Sequence, residues 1–116
     1  MAHYYLGKTA FARDDFDKAK QELQASLRSN PQNLDAKAEL ALVHLRMKDI
    51  AISENLLADV LRQDPEHYKA NLHLLNLYQR TKDPRTEEQA MRFEGVKKKR
   101  LDREQSLMRR VEFERN

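Results

Sequence analysis

The feature that most constrains this chain is a spacing. Pro31 and Pro65 stand 34 residues apart, and the same offset recurs at Ala2, Ala36 and Ala70, at Leu6, Leu40 and Leu74, at Asp15, Asp49 and Asp83, and at Leu23, Leu57 and Met91. A fixed period of this length marks a stack of similar supersecondary units, each burying its sides against its neighbours. Within each unit the apolar residues follow helical spacing. Leu6 and Ala10 form one face, and Phe16, Ala19, Leu23 and Leu27 form another; the next unit repeats them as Leu40, Val43 and His44, then Ile50, Ser53, Leu57 and Leu61. Each unit is therefore read as a helical hairpin.

Composition agrees. Two Gly, three Pro and no Trp in 116 residues leave few turn signals for a sheet, so an all-α fold is expected. The punctuation has a mechanism. Asp15, Asp49 and Asp83 each precede a second helix, where a carboxylate accepts hydrogen bonds from the first free backbone N–H groups and favours the positive end of the helix dipole. Pro31 and Pro65 follow the second helices and stop them, having no N–H and a locked φ. Pro84 directly follows Asp83 and suits the first helical turn, where a missing N–H costs nothing.

The unit YYLGKTAFARDDFDKAKQELQASLRSNP, residues 4–31, resembles the tetratricopeptide repeat (TPR): a Leu-Gly pair in the first helix, an aromatic-then-Ala pair in the second, and a closing proline. The unit AKAELALVHLRMKDIAISENLLADVLRQDP is similar, with Ala41 for the glycine and Ser53 for the alanine. The third begins well, with Ala70, Leu74, Leu77, Tyr78 and Asp83, then departs: Leu75 replaces the small residue, and Glu87 and Glu94 fall where Ala19 or Ser53 and Ser26 or Val60 stood. Such polar exchange suits a terminal repeat with no successor. The resemblance implies a right-handed α-α superhelix. Residues 1–95 would form the TPR-like domain, with repeats at about 1–33, 34–67 and a degenerate 68–95. Residues 96–116 would form a charged helical extension. Met91 and Phe93 are expected to face protein. The start, only a few residues before Leu6, reads as the C-terminal part of a longer array.

No catalytic constellation is visible. Cysteine is absent, removing thiolate zinc sites and thiol nucleophiles. His44 lies in the packed stripe with Ala10 and Tyr78, and His3, His67 and His73 have no metal-binding spacing. Gly7 has no phosphate loop around it. A non-enzymatic chain without cofactor or metal is expected. There is no apolar run near the roughly 20 residues that span a bilayer and no leader-like segment after Met1, and the compartment is left unassigned.

In TPR arrays the first helices line a concave groove. The resemblance places there Tyr4, Tyr5, Lys8 and Phe11 from the first hairpin, Glu39, Leu42 and Arg46 from the second, and Lys69, His73, Asn76 and Arg80 from the third. Aromatics at one end and cations at the other suit a peptide or protein partner with apolar and acidic residues. The competing reading has Tyr4, Tyr5 and Phe11 pack against a preceding repeat. The best-known groove of this family clamps the C-terminal carboxylates of heat-shock chaperones. Here Lys8 occupies the first-repeat asparagine place, Tyr4 that of its lysine, Glu39 that of the second-repeat asparagine and His73 that of the third-repeat arginine. Glu39 would repel a carboxylate, so that ligand is rejected.

The net charge of +3 lies wholly after residue 84, since residues 1–84 carry 12 basic and 12 acidic side chains and residues 85–116 carry 10 and 7. Lys97, Lys98, Lys99, Arg100, Arg103, Arg109 and Arg110 give a second reading, association with nucleic acid or an anionic membrane. Asp102, Glu104, Glu112 and Glu114 interrupt that run, and no aromatics interleave for base stacking. A third reading is self-association into a homo-oligomer through the sparse stripe Leu101, Met108 and Val111.

Overall fold

A computed structural model describes residues 2–115. It contains α1 (Ala2–Ala12), α2 (Phe16–Ser29), α3 (Leu34–Arg46), α4 (Ile50–Gln63), α5 (Tyr68–Thr81) and α6 (Thr86–Arg115), and no strand among the described residues. Each helix packs on the next. In addition α3 touches both α1 and α5, so the first helices of the three hairpins form one row.

The core follows the expected stripes. Ala19, Leu23, Val43, Leu57, Val60 and Leu77 are all buried. Where α1 crosses α2 the small residue is needed: a Cβ on Gly7 would lie 2.7 Å from Leu23 Cγ and 3.3 Å from the Ala19 carbonyl. At the next crossing Ala41 fills that place, and the buried Ser53 donates its hydroxyl to the Ala41 carbonyl at 2.7 Å. Asn30 and Asp64 close α2 and α4 with N–H bonds to Ser26 and Val60, and Pro31 and Pro65 come directly after.

The turns inside the hairpins repeat as faithfully. Asp14, Lys48 and Lys82 adopt φ of 60°, 68° and 53°. After each, the next N–H bonds back to the carbonyl five residues earlier: Asp15 to Ala10, Asp49 to His44 and Asp83 to Tyr78. These are Schellman closures built without glycine, a conformation that costs an ordinary side chain about 1 kcal/mol.

Several expectations are corrected. Asp15 caps α2 through Lys18 N–H at 3.3 Å, but the Asp49 carboxylate makes no such bond and instead meets Nδ1 of the buried His44 at 3.1 Å. The first helices α3 and α5 have caps of their own. Asn33 accepts from Ala36 N–H, and His67 Nδ1 accepts from Ala70 N–H while its Nε2 donates to Asp35 at 2.8 Å, tying the second and third units together. Leu6 is 46% exposed, unlike Leu40 and Leu74, because no described helix covers the outer side of α1.

The third hairpin departs by a slip. Phe16 and Ile50 begin their helices 34 residues apart, so the next would begin at Pro84; α6 begins at Thr86. Asp83 takes the Arg85 N–H on its side chain, and its carbonyl takes the Thr86 N–H and hydroxyl, so Pro84 lies in a turn ahead of the helix. The buried face moves by the same two residues. Gln89 replaces the Ala19 and Ser53 position, Phe93 that of Leu23 and Leu57, and the half-buried Val96 that of Ser26 and Val60. Glu87 and Glu94 are exposed because their register has rotated away, and Met91, expected to face protein, is 77% exposed. Gln89 satisfies its amide by donating to the Asn71 carbonyl and side-chain oxygen at 3.0 and 3.1 Å.

Candidate partner-binding groove

The row α1–α3–α5 brings residues from all three hairpins into one polar contact. Lys69 Nζ lies 3.4 Å from the Tyr4 hydroxyl and 3.3 Å from Glu39 Oε1, and His73 Nε2 stands 3.9 Å from the same carboxylate oxygen. Lys8 sits over the Tyr4 ring at 5.4 Å, and Tyr5 packs edge-on against Tyr4 while remaining 59% exposed. Further along, Arg46 covers the Phe11 ring at 5.5 Å, and Phe11 contacts Phe16.

Glu39 and His73 belong to the floor of this row, 8% and 6% exposed. Burial alone would raise the Glu39 carboxyl, but His73 and the Lys69 ammonium outweigh it and hold the group below its usual range. Burial likewise depresses Lys69, and the Glu39 charge more than compensates, leaving it raised. The floor is therefore an ion pair, with the negative charge answered from within. His73 acts by proximity, its Nε2 at 3.9 Å being too far from Glu39 for a hydrogen bond, and neither ring nitrogen has a hydrogen-bond partner among the described residues.

Of the other groove candidates, Leu42 is half-buried against the core, Asn76 is half-buried, and Arg46 and Arg80 are exposed. The more accessible of these side chains are Tyr5, Arg46 and Arg80, with Lys8 half-buried over the Tyr4 ring. Sequence reasoning placed Glu39 and Lys69 on one stripe but missed their pairing, which joins side chains 30 residues apart.

The basic extension is divided. Lys99 and Arg103 both pair with Glu66, the latter at 3.2 Å; Arg100 stacks over Tyr68 at 4.5 Å; Lys97 lies over Phe93 and pairs with Glu94 at 2.8 Å. Lys98, Arg109 and Arg110 have no ion pair among the described residues. The described residues include no cluster of potential metal ligands, and no helix among them is long and apolar enough to cross a membrane.

Comparison with known families agrees with this architecture: residues 1–33, the first hairpin, match the family model of the tetratricopeptide repeat. The six helices of the described residues, stacked as successive hairpins, are consistent with an all-α repeat of this type. No curated protein matches it. Repeats of this family are generally protein–protein interaction modules and typically non-catalytic scaffolds.

Proposed function

We propose that this protein is a non-catalytic scaffold that holds a polypeptide partner along the row α1–α3–α5. The observation that carries the reading is the Tyr4–Lys69–Glu39–His73 contact, which locks three hairpins into one surface whose floor charge is already neutralised. What such a surface offers a partner is apolar area at Tyr5 and Leu42 and, at Lys8, Arg46 and Arg80, cations with no ion pair among the described residues. A segment combining an aromatic or aliphatic anchor with carboxylates fits that pattern. The extension is the weaker candidate, because Lys97, Lys99, Arg100 and Arg103 are already ion-paired with Glu94, Glu66 and Glu104.

The test is nuclease-treated affinity capture with the full chain, a Tyr5→Glu/Leu42→Glu variant, and a Lys98→Glu/Arg109→Glu/Arg110→Glu variant. A protein partner retained by the tail variant and lost by the groove variant supports the reading. Capture that follows the tail charges whatever the groove carries overturns it.

A further inference from the structure

Helix α6 is 30 residues long, and its packed face does not end where the body does. Gln89, Phe93 and Val96 bury against the third hairpin at spacings of four and three, and Arg100, four residues on, still covers Tyr68. Continued along the helix, the same face carries Leu107 and Val111, flanked by Leu101 and Met108, and these four are 49–65% exposed. A terminal helical segment of about four turns with no packing is marginal in water. This segment therefore extends an established interface beyond the helix that occupies it.

The charges beside the stripe say what fits. Taken as a heptad with Leu101 and Met108 at equivalent positions, one flank holds Lys98, Gln105 and Glu112 and the other holds Arg100, Leu107 and Glu114. Both flanks run from basic to acidic. A parallel copy would set the basic run 97–100 against itself. An antiparallel copy sets Lys98 against Glu112, Arg100 against Glu114, Leu107 against its own equivalent and Leu101 against Val111. Lys98, Glu112 and Glu114 have no ion pair among the described residues, so they are available, whereas Arg100 must exchange its exposed contact with Glu104 for Glu114 of the second copy.

We infer that the distal half of α6 is a self-association surface, and that two copies of this chain pair through it as antiparallel helices. The pairing is weak, because the seam is short and Glu104, 3.5 Å from Arg100, interrupts it opposite Met108. It is independent of the groove reading, since it leaves the row α1–α3–α5 untouched.

Sedimentation of the full chain from about 10 µM to about 1 mM is expected to show a concentration-dependent dimer, which Leu107→Glu/Met108→Glu reduces to monomer while the thermal unfolding midpoint of the packed hairpins is retained. Two charge reversals make the test specific. Lys98→Glu/Arg100→Glu and Glu112→Lys/Glu114→Lys each weaken self-association by about 10- to 100-fold, whereas an equimolar mixture of the two restores a dimer containing both. A monomeric wild type across that range overturns the inference, as does a mixture no stronger than its parts. Recruitment of the monomer to anionic vesicles through Leu107 and Met108 would give the stripe to a membrane surface and overturn it too.

Discussion

The same substitution, glycine to alanine, is expected to stabilise at one glycine of this chain and not at the other. Both lie inside helices, where alanine gains about 1 kcal/mol from backbone entropy and helix propensity. Gly95 is exposed on α6, and a Cβ there meets nothing within 4 Å, so Gly95→Ala keeps the full gain. At Gly7 the new methyl would stand 2.7 Å from Leu23 Cγ and 3.0 Å from its Cδ2, with the Ala19 carbonyl at 3.3 Å closing the other side. Leu23 is itself 0% exposed, so it has no free space to rotate into. Overpacking of this kind costs about 1–3 kcal/mol, which cancels or exceeds the propensity gain and leaves a net loss of up to about 2 kcal/mol. In urea denaturation followed by circular dichroism, 1 kcal/mol moves the midpoint by roughly 0.5–1 M. Gly95→Ala should raise the midpoint by about that much, and Gly7→Ala should leave it unchanged or lower it. A Gly7→Ala midpoint raised as far as that of Gly95→Ala would refute the argument that close α1–α2 crossing is what requires glycine at this position.

Two other substitutions or titrations probe the turns. Lys48→Gly relieves a left-handed residue at φ 68° between α3 and α4 and should raise stability by about 0.5–1 kcal/mol, the steric relief exceeding the added freedom of the unfolded chain; thermal unfolding checks it. The Asp83 carboxyl, held down chiefly by the Arg85 side chain and also by its backbone N–H, should titrate at about 2 in a carboxyl NMR titration. Because the folded value is the lower one, its contribution to anchoring the start of α6 is complete above the ordinary carboxylate range near 4 and is lost as pH falls through about 2. Asp83→Asn should remove that dependence.

The groove was partly legible. Tyr4, Glu39, Lys69 and His73 are put on one row by the family resemblance, which lines the first helices along a common face. Their roles were not legible. Whether Glu39 faces a ligand or answers Lys69 depends on the separation of α3 and α5, which no local pattern encodes. The unpartnered nitrogens of His73 were equally invisible.

What the sequence determined by itself is local and periodic: hairpins of fixed length, second helices ended by Pro31 and Pro65, and cores at Leu23 and Leu57, because helix spacing and backbone punctuation act within a few residues. Even there it was silent on the left-handed turns at Asp14, Lys48 and Lys82, which carry no glycine to announce them. Tertiary structure decided what depends on neighbours. A two-residue turn at Pro84 and Arg85 rotated α6 so that Phe93, not Met91, entered the core. The lack of a described helix against α1 left Leu6 in the open. The antiparallel run of α6 past the start of α5 carried Lys99 and Arg103 to Glu66, converting two cations of the basic run into an intramolecular clamp. Burial and charge pairing are set by distances between elements, and those are fixed only when the helices pack.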